Sequence, residues 1–216
     1  KKLKGPNKPK FDIQHNGKEV DEKEYLTDAF SREAVAFIDK YHDKPFFLYL
    51  PYNAPHGPLQ ATEKYLERFP DIEHPKRKIY AAMVSSLDDG VGRIMAKLKE
   101  RNLEKNTLVF FISDNGATRK SSYGDNGPLR KWKGSLHEGG IRVPFIMNWK
   151  GTLPAGVVET RSVIQLDATA TAVALAGGDI SDMNGVNLMP YLLNQKSEDP
   201  HKQLFWRIMN WRYSKT

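Results

Sequence analysis

Residues 107–116 read TLVFFISDNG, and the last four of them bring the first groups able to do chemistry. Asp114 offers a carboxylate and Asn115 an amide oxygen, both suited to a hard cation such as calcium or magnesium. Gly116 lets the backbone turn sharply behind them, although an Asp-Asn-Gly triplet is also an ordinary turn. A second candidate is His56, in the loop PYNAPHGP over residues 51–58, where three prolines restrict the backbone. A third cluster is Lys131-Trp132-Lys133, followed by His137 and Glu138. A hard-metal site, ammonium groups and a histidine together suit an enzyme acting on a tetrahedral oxyanion ester. The cations would neutralise charge building on the non-bridging oxygens, and the histidine would donate to the leaving oxygen.

The elements that must carry these groups alternate between strand and helix. Residues 108–112 (LVFFI) form an unbroken apolar run of the kind buried on both faces of a parallel sheet. Ligands of open α/β sheets sit beyond such strand ends. Residues 46–50 (FFLYL) and 143–149 (VPFIMNW) are two more expected strands. Apolar residues at helical spacing predict helices over residues 27–42 and 62–69. A longer helix should carry Ile79, Met83, Leu87, Val91, Ile94 and Leu98 on one face. Asp88 and Asp89 on that helix read as surface or packing charges, not as a catalytic pair. Asp167 is expected to cap a helix running to Ala176, stopped by Gly177-Gly178, and residues 188–193 form a short helical piece. The expected fold is α/β, a mostly parallel sheet with helices on both faces, and incomplete. Residues 117–140 form a long loop, and loops of that length are usually functional or disordered.

Composition sets outer bounds. The 216 residues are 39% hydrophobic and 27% charged, as in a globular protein. There is no cysteine, so disulfides, thiolate metal sites and a cysteine nucleophile are excluded within these residues. No apolar run is long enough to span a membrane. The net charge is +7, concentrated in KKLKGPNKPK at the start, in Lys76, Arg77 and Lys78, and in Arg130, Lys131 and Lys133. That surface can be plain solvated charge or can attract anionic substrates. No nucleic-acid-binding module is recognisable, so nucleic acid is not expected as a partner.

The stretches FFLYLPYNAPHGPLQATEKYLERF, SLDDGVGRIMAKLKE, TLVFFISDNG and NGPLRKWKGSLHEGGIRVPFI together resemble type I sulfatases of the alkaline phosphatase superfamily. The resemblance covers about residues 25–207. It implies that Asp114 and Asn115 are half of a single calcium site, and that His56 contacts the sulfate and assists the leaving group. It implies also that Lys133 binds sulfate oxygens. Lys131 is a rival whose spacing to Glu138-Gly139-Gly140 fits less well. His137 would be local or substrate-facing, and Glu138 and Arg142 structural. Asn115 in place of a histidine favours one hard-cation site over a two-zinc site.

The departures are as informative. The family's nucleophile is a formylglycine made from a Cys/Ser-x-Pro-Ser-Arg motif, and no such motif occurs here. The Asp-Asp pair that completes the calcium site is absent, as are the upstream lysine and histidine of the sulfate pocket. The chain is therefore expected to be the C-terminal part of a sulfatase catalytic domain, with a basic arm over residues 1–24, the catalytic α/β portion over 25–195, and the start of a C-terminal subdomain over 196–216. The implied activity is hydrolysis of a sulfate monoester, on a small molecule or a glycan. The other readings are a phosphodiesterase or phosphonate hydrolase of the same superfamily, a non-catalytic module binding sulfated polysaccharide, and an α/β domain whose loop residues only cap and turn. The resemblance also implies export to the periplasm or the medium, or a lysosomal location in a eukaryote.

Overall fold

The computed structural model describes residues 13–118 and 122–208. Residues 1–12 of the expected basic arm and 209–216 of the expected C-terminal subdomain lie outside the described residues. The chain forms two compact units. One is Lys1–Leu103 with Thr118–Asp125, the other Glu104–Ala117 with Asn126–Thr216.

The first unit opens with a two-stranded hairpin, β1 (Gln14–His15) and β2 (Lys18–Glu19). Its two turn residues, Asn16 and Gly17, have φ of 51° and 76°, the left-handed pair that matches the twist of a tight hairpin. Helix α1 (Leu26–Tyr41) buries Ala29, Ala34 and Ile38, and helix α3 (Pro75–Glu100) buries Ala82, Met83 and Leu98. The two pack together because each has this narrow apolar stripe. The short α2 (Glu63–Leu66) adds Tyr65, fully buried, whose hydroxyl donates to Asp28 Oδ1 at 2.6 Å. Asp89 pairs bidentately with Arg68, both contacts 2.8 Å, which makes it a packing charge. No helix among the described residues is long and apolar enough to cross a membrane.

Residues 46–50 differ from the expectation of a buried strand. They form no strand: their exposure alternates along the stretch, but no ladder partner occurs among the described residues. Phe47 and Tyr49 are left 77% and 76% exposed.

In the second unit β3 (Val109–Ile112) pairs antiparallel with β4 (Phe145–Asn148), Phe110 opposite Met147 and Ile112 opposite Phe145. Otherwise parallel α/β sheets commonly carry such an antiparallel member. Parallel pairing among the described residues is limited to an isolated bridge, Lys150 to Leu153. Three helices follow: α4 (Glu138–Ile141), α5 (Gln165–Leu175) and α6 (Met189–Leu192). Asp167 is not the cap residue of α5 but its third residue. From there its Oδ2 accepts the Ile164 amide at 2.8 Å, satisfying an amide just outside the first turn.

Candidate functional site

Strand β3 delivers the polar tetrad. Its ladder runs on through Ser113, whose amide donates to Pro144 O at 3.2 Å, so Asp114 is the first residue past the sheet. The turn is tied internally: Ser113 Oγ donates to Asn115 O at 2.9 Å, and Asn115 Nδ2 donates to Gly116 O at 3.2 Å. The Asp114 carboxylate is exposed, and no hydrogen bond or ion pair occupies it among the described residues. The Asn115 amide nitrogen is engaged, and no hydrogen bond occupies its Oδ1 among the described residues.

The loop over residues 126–140 folds back onto this turn. Gly116 N donates to Gly140 O at 3.1 Å, and Lys133 N to Ala117 O at 3.1 Å. Asn126 locks the crossing, accepting from Ala117 N at 2.9 Å and donating to Lys131 O at 3.1 Å. The approach is so close that a Cβ on Gly116 would lie 1.8 Å from Gly139 O, so only glycine fits there. The backbone of Lys133 is thereby fixed beside the same strand end as Asp114 and Asn115.

The two rival lysines differ in surroundings. Lys131, with φ of 69°, lies exposed with its ammonium 5.9 Å from the Trp132 ring centroid. Lys133 is half-buried, and no hydrogen bond or ion pair engages its ammonium among the described residues. His137 belongs to the same loop. Its Nδ1 lies 3.0 Å from Ser135 Oγ, and its carbonyl accepts from Gly140 N at 2.8 Å at the start of α4. Glu138 pairs with Arg142 at 3.1 Å one turn along, an exposed contact that fits a structural role for both.

His56 lies in the other unit. A turn bond from His56 N to Asn53 O at 2.8 Å shapes its loop. His56 Nδ1 lies 2.7 Å from Gly57 O. A carbonyl can only accept, so Nδ1 carries a hydrogen and Nε2 is the ring atom left for a ligand. The loop is anchored by Tyr52, whose hydroxyl meets Ser31 Oγ of α1 at 2.8 Å. Burial pushes the Tyr52 phenol above its ordinary range, so it stays a neutral anchor. Gly90 of α3 makes this possible, since a Cβ there would lie 2.3 Å from Ser31 Oγ.

Sequence reasoning missed Tyr52, Ser31, Asn126 and Gln165. Gln165, first residue of α5, donates from Nε2 to the carbonyls of Ser113 at 2.7 Å and Asp114 at 3.2 Å. No local pattern signals any of these: Tyr52 and Ser31 meet each other across 21 residues, Gln165 reaches back about fifty, and Asn126 ties two segments of one loop through their backbone.

The donors just past β3 fit a hard cation in kind: one carboxylate and one amide oxygen on consecutive residues, neither hydrogen-bonded among the described residues. They supply two of the roughly six to eight oxygens calcium takes. Among the described residues no group of three or more His, Cys, Asp or Glu side chains is placed to hold a metal ion.

A family model described as Sulfatase matches residues 3–178. The chain is 36% identical over 200 residues to the uncharacterized sulfatase YdeN of Escherichia coli, covering 88% of this chain and 35% of that protein. It is 36% identical over 182 residues to the N-acetylgalactosamine-6-sulfatase of Mus musculus, covering 81% of this chain and 34% of that one. The crystal structure of Ps i-CgsB in complex with k-i-k-neocarrahexaose superposes with a TM-score of 0.83 at 47% identity, covering 88% of this chain and 42% of that one. The chain thus spans about a third of the length of the curated relatives it matches.

Proposed function

The chain belongs to the sulfatase family, and from that premise we propose that it forms part of an enzyme hydrolysing sulfate monoesters of a sulfated glycan. The observation that carries the reading is the crossing at the end of β3, where Asp114, Asn115 and the half-buried Lys133 are held by the Ala117–Lys133 and Gly116–Gly140 bonds. The neocarrahexaose complex of the 47% identical structure supports a carrageenan-type oligosaccharide as the substrate class.

In this reading Asp114 and Asn115 give two oxygens to a calcium ion, which when bound neutralises charge on the sulfate oxygens. The formylglycine, when present, supplies the nucleophile. Lys133 binds the non-bridging oxygens as a compact point charge with three donors, and its pull grows as charge builds on them. His56, its Nδ1 hydrogen tied to Gly57 O, holds a proton at Nε2 and delivers it to the leaving oxygen as the S–O bond breaks. In the same reading His137, on the same loop as Lys133, is local or faces the substrate. Asn115, where a two-metal phosphoesterase would use a histidine, disfavours the phosphodiesterase alternative.

The test joins these residues to a sulfatase segment bearing the Cys/Ser-x-Pro-Ser-Arg motif and measures inorganic sulfate released from neocarra-oligosaccharides. Release should be chelator-sensitive and restored by calcium, and Lys133→Ala should lower kcat/KM about 10²–10³-fold. The 216 residues alone should not turn over an aryl sulfate. Full activity in the Lys133→Ala protein, or a preference for phosphate diesters, would overturn the assignment.

A further inference from the structure

The start of α3 is electrostatically unusual. His74 precedes the helix, Lys76, Arg77 and Lys78 follow its first proline, and the first turn has no acidic residue. A helix N-terminus carries partial positive charge, so cations there oppose the dipole. Several cations elsewhere in this chain pair with carboxylates, Arg32, Arg68, Lys97, Arg101, Lys150 and Arg161 among them. Among the described residues Lys76 and Arg77 have no carboxylate partner. A local arrangement that works against helix stability points to a function.

A remote segment of the same unit is clamped onto this turn. The Tyr123 ring stacks on His74 at 4.0 Å between centroids, with Lys76 Nζ 5.7 Å from its centre. Arg77 Nη1 donates to Tyr123 O at 2.8 Å, and its guanidinium lies 5.5 Å from the Tyr80 ring. Tyr123 holds a φ of 56°, unfavourable for a bulky side chain, and remains 37% exposed. The result is a cationic platform of side chains from two segments, braced by aromatic rings. It does not depend on the free amides of the helix end.

Resting on the sulfatase reading above, we propose that His74, Lys76, Arg77 and Tyr123 bind a sulfate group of the glycan chain, a second anion contact that uses neither Lys133 nor His56. Arg77 keeps guanidinium donors beyond the one given to Tyr123 O, and Lys76 is a solvated point charge, so both can reach sulfate oxygens. A sulfated sugar suits the site better than nucleic acid does, because His74 already covers a face of the Tyr123 ring that a base would need for stacking.

The experiment measures binding of the 216-residue chain to an immobilised sulfated galactan across a salt series. Unsulfated galactan and duplex DNA serve as comparison ligands. Lys76 and Lys78 share a helical turn but point about 200° apart, so Lys76→Glu and Lys78→Glu make the same charge change on different faces. Lys76→Glu should weaken binding about tenfold or more and flatten the salt dependence, and Lys78→Glu should have a much smaller effect. Tyr123→Leu should also weaken binding. Thermal melts confirm folding, and Lys76→Gln replaces Lys76→Glu should the reversal unfold the chain. No binding by the wild type, equal weakening by both glutamate variants, no effect of Lys76, or tighter binding to DNA would each overturn the proposal. None of these outcomes bears on sulfate release by the joined enzyme and its loss in Lys133→Ala, so the two readings fail separately.

Discussion

Two consecutive backbone carbonyls at the end of β3, those of Ser113 and Asp114, are held by a single side-chain amide, that of Gln165. The contact fixes the peptide that presents Asp114 without touching its carboxylate. Gln165→Ala should cost about 1 kcal/mol in chemical denaturation, since both carbonyls can turn to water. The sharper readout is local: amide exchange at Asn115 and Gly116 should speed up while the global transition moves little. Unchanged exchange there would show that the turn is held by its own bonds. Asp114 and Asn115 were legible in the sequence because an apolar run ending in acid, amide and glycine has a physical meaning by itself. Gln165 was not, because it lies about fifty residues away in sequence and meets only backbone. Lys133 was legible as a cation, and its spacing to Glu138-Gly139-Gly140 already set it ahead of Lys131, but the difference in their surroundings is three-dimensional. It comes from the Ala117–Lys133 bond and from Lys131 sitting against Trp132.

Helix α5 depends on an acid the sequence placed one role away from its actual one. Asp167 is fully buried, and its two oxygens accept from Ile164 N at 2.8 Å and Val186 N at 2.9 Å, with His201 Nε2 2.9 Å from both. One carboxylate therefore joins the start of α5, the segment before α6 and the C-terminal stretch. Asp167→Ala should lower unfolding free energy by about 3–5 kcal/mol, read from urea melts, because it strands buried donors. A loss under 1 kcal/mol would mean that the segments are held by packing alone. The helices were legible because apolar spacing survives any surroundings. The strand at residues 46–50 was legible only as a pattern, since a ladder needs a partner that periodicity cannot supply. Before α5, Arg161 holds the Glu159 carboxyl down at about 2 from an ordinary 4.5. A lowered carboxyl contributes stability that is complete above its unfolded value and is lost as pH falls from about 4.5 through about 2. Solvent screening keeps that contribution to about 1 kcal/mol or less. Glu159→Gln should therefore narrow the gap between melts at pH 6 and pH 2, and an unchanged gap would remove the pair from the acid response.

For the molecule as a whole, the surface is divided between charge that keeps it apart and apolar groups that draw it together. The net charge of +7 favours dispersal. Against it stands the stretch over residues 46–50, with Phe47 and Tyr49 more than three-quarters exposed and no ladder partner among the described residues. Unpaired backbone beside exposed aromatics is the ordinary template for edge-to-edge association. Two large rings outweigh diffuse charge once salt is present, because screening weakens the repulsion and leaves the hydrophobic term intact. The 216-residue chain should therefore associate reversibly in sedimentation velocity, more at about 0.5 M salt than at about 0.05 M. It should also bind an apolar fluorescent dye. Replacing both aromatics, as Phe47→Thr with Tyr49→Thr, should give a monomer with little dye binding at either salt. Threonine preserves the extended backbone preference, so the substitution removes the rings without redirecting the chain. A wild type that stays monomeric and dye-free at high salt would mean that this face is covered in solution, and the aromatics would then have to be packed against the chain itself.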